Sequence, residues 1–278
     1  MNILFYGNCQ LYCIMKTLNL HSQNFVEKLI ECFSTSIHET EFTNLIKEQD
    51  IIITQSICDN YRDKPYLSTN FIIQNCKKTC KIIIFDSCYF NFYYFDVTYD
   101  LFNTKVTLNQ PIDYHYNKMM ECYKNNLSVK YYLENIVNNK DLKTKKELEN
   151  YANESLEELR KKYLENIQKY KKNNNIHIIT CYDYIKNNYK DKLLFYSMNH
   201  PTKFIIQFIC EKIIKILNID NTIDYNIDAL NFIKCIIYKS IQKVVNFDIS
   251  DFKPLTCEKQ DIKEITELYY NAYRNNGF

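Results

Sequence analysis

The sequence predicts an α/β fold, a three-layer sandwich with a mainly parallel sheet, and two observations support this class. Short apolar runs rich in β-branched residues recur along the chain without clean alternation, which is typical of strands buried on both faces. Helical patterns follow several of these runs, and strands that alternate with helices form mainly parallel sheets. The predicted strands cover residues 2–6, 51–54, 81–85, 176–180 and 193–196, and the predicted helices cover about 9–20, 113–137, 152–173 and 201–218.

The composition argues against two classes of protein. Lys and Arg number 35 against 33 Asp and Glu, so no large basic field exists to recruit nucleic acid. The longest apolar runs are strand-sized and far shorter than a membrane span, and the N-terminus carries no recognisable secretory signal.

The twelve cysteines follow no disulfide or metal-site spacing. We therefore expect free thiols and no metal in a cytoplasmic protein, of a bacterium or, for a viral protein, of the host cell.

The chain is predicted to divide into an α/β domain, residues 1–220, and a mostly helical C-terminal extension, residues 221–278. Apolar residues at helical spacing begin the extension, and a last helix is expected near residues 258–275. The extension is predicted to be either an appendage or an element that joins copies of the chain into a homo-oligomer. The apolar residues that carry the first helical pattern are Leu230, Ile233, Ile237 and Ile241.

The turn after the first strand carries the strongest functional signal. Of only two glycines in the chain, Gly7 stands in this turn, two residues before Cys9. A glycine here indicates either a backbone conformation that Asn cannot adopt or a close approach by another group. Cys9 then begins a helix, where the helix dipole and free N–H groups favour a thiolate. The sequence predicts that Cys9 is a nucleophile and the most reactive thiol, although most cysteines in such a chain are buried bystanders.

A second signal lies near residue 200, where a predicted strand ends. His200 follows that strand, and Pro201 is suited to the first turn of the next helix. A lone histidine is more often structural than catalytic, but a rigid loop at a strand end is where general bases are found. We interpret His200 as the candidate base and His115 as the next candidate.

The stretch from Phe85 to Phe102 is unusually rich in aromatic residues. Such a cluster after a strand forms core or a lid more often than a recognition surface. Aromatic walls also suit sugar or adenine binding, so both interpretations stay open at this stage, with core favoured.

These motifs together resemble the WcbI family of polysaccharide-biosynthesis proteins. The resemblance covers roughly residues 1–220 and rests on Gly7-Asn8-Cys9-Gln10, on Gln55 after the second predicted strand, and on Asn199-His200-Pro201-Thr202 before a long helix. It implies an SGNH-hydrolase-like core, coenzyme A binding and acetyl transfer to capsular sugars. Relative to an SGNH enzyme, Cys9 takes the nucleophile's place and His200 that of the histidine, while Ser197 stands where the triad acid would be.

The sequence with this resemblance predicts a coenzyme A-dependent acyltransferase, most simply an O- or N-acetyltransferase, with acetyl-CoA as co-substrate and a sugar nucleotide or glycan as acceptor. Cys9 would be the nucleophile or the residue that faces the thioester, and His200 the general base. Alternatively, His200 would activate the sugar hydroxyl directly and Cys9 would only help to shape the site. An oxyanion would be stabilised by the Cys9 backbone N–H with Asn8, Gln10 or Gln55. The candidates for coenzyme A binding are Gly7, Lys16, Asn199 and Lys203. Two alternatives remain: a glycan esterase on the same scaffold, and a non-catalytic glycan-binding protein.

Overall fold

The computed structural model describes residues 1–20, 25–33, 36–99, 114–170, 173–220 and 222–275. The chain forms two compact units, each assembled from three stretches of sequence. Unit 1 comprises Met1–Cys88, Glu157–Lys186 and Thr202–Leu230, and unit 2 comprises Tyr89–Leu156, Asn187–Pro201 and Asn231–Phe278. The division at residue 220 stays a prediction.

Unit 1 is built on a sheet of five parallel strands, which confirms the predicted fold class. In their order across the sheet, the strands are β2 (Val26–Glu31), β1 (Asn2–Gly7), β3 (Ile51–Gln55), β4 (Lys81–Phe85) and β7 (Ile176–Ile179). Strand β2 was not predicted because it lies at the edge of the sheet, where most of its side chains are only partly covered. The predicted strand at 193–196 does not belong to this sheet.

Helices cover both faces of this sheet and make three layers. One face is buried in a cluster that includes Leu4, Ile52 and Ile82 from the strands and residues of α2 and α3. The alternate strand residues, such as Phe5 and Ile83, are equally buried on the opposite face, and α1 packs against α8. Burial on both faces explains the continuous apolar runs of the strands. The helices are α1 (Cys9–Leu18), α2 (Glu39–Glu48), α3 (Thr69–Asn75), α7 (Tyr182–Asn188) and α8 (Lys203–Leu217).

Unit 2 combines short helices with two antiparallel pairs of strands. Strands β5 (Val97–Tyr99) and β6 (Tyr114–Tyr116) form one pair, and β8 (Phe195–Ser197) and β9 (His200–Pro201) form the other. The predicted helix at 113–137 begins outside the described residues. Over its described part it is replaced by β6, α4 (Asn117–Lys124), α5 (Val129–Tyr132) and a π-helical turn (Leu133–Val137).

The aromatic stretch after β4 forms the core of unit 2, as favoured from the sequence. Phe90, Phe92, Tyr93 and Tyr94 are almost completely buried, and the rings of Phe90 and Phe92 lie 5.5 and 5.3 Å from that of Tyr189. The end of the stretch, residues 100–102, lies outside the described residues.

The C-terminal region matches its prediction only at the end. Helix α9 (Ile262–Asn275) is present there, near the expected residues 258–275. Outside this region, helix α6 (Lys145–Tyr170) confirms the helix expected at 152–173 and begins earlier than expected. The helix expected through Leu230 and Ile241 is absent: the chain there is irregular, with an isolated bridge from Lys234 to Leu255 and a 3₁₀ segment at Lys239–Lys243. Its apolar residues reflect burial of the segment rather than a helical face. Among all the described residues, no helix is both long and apolar enough to cross a membrane.

Candidate functional site

Three strands of unit 1 end side by side, and the polar side chains that follow them are joined by hydrogen bonds. Gln55, the last residue of β3, is 2% exposed. Its Oε1 accepts a hydrogen bond from the backbone N–H of Asn8 at 2.7 Å, and its Nε2 donates to Ser87 Oγ at 2.9 Å. One side chain therefore bridges the loops after β1 and β4.

Gly7 is required by this bridge. A Cβ added at Gly7 would lie 2.7 Å from Gln55 Oε1, well inside van der Waals contact, and the φ of Gly7 lies outside the left-handed region. Of the two explanations that the sequence allowed, the close approach is correct. The group that approaches is a side chain of the neighbouring strand.

Gln10 and Asn8 fix the start of α1. Asn8 is the helix N-cap, and its Oδ1 accepts from the Gln10 N–H at 2.9 Å. The Gln10 carboxamide pairs with the backbone of Cys88, donating to its carbonyl at 2.8 Å and accepting from its N–H at 3.0 Å. These contacts favour a positioning role for Gln10 and Gln55, and their participation in oxyanion binding stays a prediction.

Cys9 is the first residue of α1 and is half-buried. The predicted lowering of its pKa is wrong: burial raises the pKa of the Cys9 thiol, and the backbone N–H groups of Cys9 and Gln10, which act in the opposite direction, do not outweigh it. The strongly acidified thiol is Cys76, whose pKa falls to about 7 because the Cys80 thiol donates a hydrogen bond to it. Cys9 is therefore a neutral thiol at pH 7.

A buried carboxyl group beside this turn was missed from the sequence. Asp86 follows β4 directly, and its Oδ1 accepts a hydrogen bond from Asn166 Nδ2 at 2.7 Å, while Asn166 Oδ1 accepts from Ser56 Oγ at 2.9 Å. Burial raises the pKa of Asp86 to about 6. The available signal was its place at the carboxyl end of a predicted strand.

A second missed residue is Arg62, one of three arginines in the chain. Arg62 and Asp63 both adopt left-handed backbone conformations, with φ of 53° and 57°, which are costly for residues with a Cβ. The exposed Arg62 guanidinium donates to the carbonyl of Phe33. The preceding residue, Cys32, donates its N–H to the Gly7 carbonyl at 2.8 Å. Arg62 therefore lies at the rim of the same turn.

His200 belongs to the β8–β9 hairpin of unit 2 and is paired with Ser197 across it. The residue is 6% exposed, and its buried Nδ1 has no hydrogen-bond partner among the described residues. Burial lowers the pKa of His200 to about 4, so the imidazole is neutral at pH 7. The Ser197 hydroxyl, at the position of a triad acid, lies within hydrogen-bond distance of Tyr114 Oη and Asn199 Oδ1, at 3.0 and 3.1 Å, and can donate its one proton to either oxygen.

The other predicted site residues have more ordinary surroundings. Asn199 Oδ1 lies within hydrogen-bond distance of Ser197 in its own hairpin and accepts a hydrogen bond from the Tyr114 hydroxyl of β6. His115 stacks on Tyr273 in the aromatic core of unit 2, with ring centroids 6.2 Å apart, which favours a structural role. The roles of all these residues stay predictions.

Of the two lysines proposed for coenzyme A, Lys16 lies at the C-terminal end of a helix and Lys203 at the N-terminal end of another. Lys16 is exposed in the last turn of α1, and its Nζ lies 5.6 Å from the centre of the Tyr12 ring. Lys203 is the first residue of α8 and half-buried. Within the described parts of the chain, no group of three His, Cys, Asp or Glu residues could hold a metal ion.

Comparison with known proteins gives a family and a structural neighbour. The model of the family "Polysaccharide biosynthesis enzyme WcbI" matches residues 2–222. A solved structure of WcbI, described as a novel polysaccharide biosynthesis enzyme in a native form without a disulfide bond between coenzyme A and a cysteine, is similar with a TM-score of 0.80. It is 18% identical, and the match covers 98% of this chain and 90% of that one. No curated protein matches the sequence. Since the family model spans most of the chain, the protein belongs to the WcbI family of polysaccharide biosynthesis enzymes.

Proposed function

We propose that this protein transfers an acyl group, an acetyl group in the simplest case, from coenzyme A to a sugar or glycan. The observation that carries the proposal is the half-buried Cys9 thiol at the capped N-terminus of α1. This position is at the carboxyl ends of the strands, where α/β sheets bind ligands. Membership in a family of polysaccharide biosynthesis enzymes supports a sugar substrate. The similar WcbI structure, whose description pairs coenzyme A with a cysteine, supports the cofactor.

The electrostatics of the two candidate groups favour direct transfer over a covalent acyl-enzyme. A cysteine nucleophile reacts as its thiolate, and burial works against that form at Cys9. Burial also keeps the His200 imidazole unprotonated at pH 7, so it can accept a proton, but the same burial disfavours the imidazolium ion and makes His200 a weaker base than a free histidine. In this mechanism Cys9 lines the thioester site and His200 is the general base.

Coenzyme A would supply the acyl group as an activated thioester. The His200 imidazole would accept the proton of the attacking sugar hydroxyl and would return it to the departing coenzyme A sulfur. The backbone N–H of Cys9, at the positive end of α1, is suited to stabilise the developing oxyanion. The products would be the acylated sugar and coenzyme A with a free thiol, so atoms and charge balance.

Arg62 is the residue at the rim best suited to bind a phosphate of the cofactor. Its planar guanidinium offers five N–H donors, and one of them bonds to the Phe33 carbonyl. Its strained backbone indicates that the surrounding structure maintains this position at a cost. We assign it the phosphate contact in preference to Lys16, which lies in the last turn of α1.

A binding experiment with a thiol-exchange arm tests the proposal. Coenzyme A at a hundred times its dissociation constant should stabilise the fold by about 2.7 kcal/mol, measured as a rise in melting temperature. Arg62→Ala should weaken this effect. Coenzyme A disulfide should exchange with Cys9, the Cys9 sulfur replacing one coenzyme A thiolate, and peptide mass spectrometry should find this adduct on the Cys9 peptide of the wild type. The more acidic Cys76 thiol should be labelled equally in the wild type and in Cys9→Ser.

The matched control is Cys58→Ser, which removes an exposed thiol and should leave coenzyme A labelling of Cys9 unchanged. Acyl transfer that survives in Cys9→Ser supports direct attack, whereas its complete loss supports an acyl-enzyme. An unchanged melting temperature at millimolar coenzyme A and acetyl-CoA would remove the proposal.

A further inference from the structure

Unit 2 contains a cleft that none of the candidate site residues lines. Its volume is about 540 Å³, within the range of about 300–1,000 Å³ that is typical of small-molecule sites. The π-helical turn, the segment after it, the 3₁₀ region and the start of α9 form its walls. Its lining residues are Val137, Asn138, Lys140, Ile237, Lys239, Gln242, Asn246, Asp248, Ile249, Ser250, Phe252, Pro254 and Ile262.

One wall of the cleft is held rigidly by its own polar side chains. The Gln242 carboxamide donates to the carbonyl of Phe247 at 2.9 Å and accepts from the Ile249 N–H at 3.1 Å. Asp248 Oδ1 accepts from the Ser250 N–H at 2.8 Å, and the backbone N–H of Asn246 donates to the Lys190 carbonyl at 2.7 Å. A loop fixed at this many points needs little reordering when a ligand binds, which favours affinity.

The opposite wall is formed by an irregular helix. The π-helical turn at Leu133–Val137 ends at the cleft, where the Asn138 N–H bonds to the Leu133 carbonyl at 2.9 Å. Single π-turns are uncommon and are frequent at functional sites. Here the turn brings Val137 and Asn138 into the lining.

The cleft is basic on balance and rich in groups that bind hydroxyls. Lys140 and Lys239 are both exposed and form no ion pair with a described residue, unlike Lys243 nearby, whose Nζ lies 2.8 Å from Asp141. A carboxylate, three side-chain amides and a serine hydroxyl stand beside apolar residues and a single aromatic one. Carboxylates and amides bond to hydroxyl groups, an apolar wall contacts the C–H face of a ring, and two ammonium groups attract an anion.

We infer that this cleft binds an acidic saccharide, a sugar unit that carries a carboxylate or a phosphate, and holds the acceptor polymer on the enzyme. The inference rests on the proposed function for the choice of a glycan acceptor, and it adds the chemical class of that acceptor. A nucleotide fits less well because the lining offers only one aromatic ring, Phe252, for the base.

The chain contains no tryptophan, so Phe252→Trp in the full-length protein places a single fluorophore in the cleft. A tetramer of galacturonic acid should change its fluorescence in a saturable way, and neutral maltotetraose should not at the same concentration. The double variant Lys140→Gln/Lys239→Gln should bind the uronate at least about tenfold more weakly, because hydrogen bonds to charged groups are lost. Isothermal calorimetry on the unmodified chain repeats the titration in case Phe252→Trp disturbs the fold.

The matched control is Lys124→Gln/Lys146→Gln, which removes two exposed lysines of unit 2 that do not line the cleft and should leave uronate binding unchanged. Equal binding of both tetramers, equal loss in the control, or tighter binding of adenosine bisphosphate would each overturn the inference, as would no binding at all. Coenzyme A should stabilise the lysine variants as it does the wild type. Uronate binding without a coenzyme A effect would reject the proposed function and leave the saccharide cleft standing.

Discussion

The polar side chains at the end of the unit 1 sheet bond to one another, whereas the buried imidazole of the unit 2 hairpin has no Nδ1 partner among the described residues. Gln55 and Gln10 bond to backbone groups of neighbouring loops and so define a shape. His200 is surrounded by the rings of Tyr114 and Phe232, with centroids 6.0 and 5.4 Å away. Buried polar groups normally have partners, so a satisfied network indicates positioning, and an unsatisfied one indicates either strain or function.

The largest expected effect concerns the unsatisfied group. His200→Ala should reduce acyl transfer by about 100- to 10,000-fold, the usual contribution of a general base, while coenzyme A affinity stays nearly constant. Turnover and coenzyme A binding are measured on the same preparation. Ser197→Ala is the control in the same hairpin. The Ser197 hydroxyl only bonds to its neighbours Tyr114 and Asn199, so its removal should reduce the rate of acyl transfer less than about tenfold. Full activity of His200→Ala toward a verified acceptor would refute the role of His200 as base.

The next effect is on stability as the pH falls. An unfolded histidine takes up its proton near pH 6.5, whereas the folded chain holds His200 neutral until its pKa of about 4. Between these two pKa values the unfolded state binds more protons than the folded state. The free energy of unfolding should therefore fall by about 3 kcal/mol between pH 7 and pH 4.

Urea unfolding of the wild type and of His200→Gln at pH 7, 5.5 and 4 measures this loss. The difference between the two chains removes the contribution of Asp86, whose raised pKa of about 6 stabilises the fold as the pH falls and so acts in the opposite direction. Parallel curves for the two proteins would mean that the imidazole is not held neutral.

A smaller effect tests the positioning network. Gly7→Ala should lower the free energy of unfolding by about 2 kcal/mol, because the new Cβ displaces the Gln55 carboxamide from the Asn8 N–H. In a Gln55→Ala background the same substitution should cost much less, which a double-mutant cycle by chemical denaturation measures. Additive losses would show that Gln55 is not the group that excludes a side chain at residue 7.

The smallest effect compares two thiols. At pH 7 Cys76 should be alkylated by iodoacetamide about tenfold faster than Cys9, since its pKa is lowered to about 7 while that of Cys9 is raised. Peptide mass spectrometry after brief labelling gives both rates. Cys80→Ala removes the hydrogen bond that acidifies Cys76 and should slow its labelling. If Cys9 reacts first, the helix N-terminus governs its chemistry after all.

Much of the fold could be predicted because its signals are local. Strands β1, β3 and β4 are runs of apolar residues buried on both faces, and the spacing of apolar residues after β1 matches α1. Strand β2 escaped prediction because an edge strand is only partly covered. The segment from Leu230 to Ile241 was misread because an irregular buried segment can carry apolar residues at helical spacing.

The sequence by itself determined the class of fold, the family, and the places of Gly7, Cys9 and His200 next to strand ends, since each follows from residue types and short-range spacing. Only the tertiary structure decided why residue 7 is glycine, because the reason is a side chain 48 positions later in the chain, brought close by the pairing of β1 with β3. It also decided the directions of the pKa shifts of Cys9 and His200. Desolvation depends on how many atoms pack around a group, and those atoms come from distant parts of the sequence.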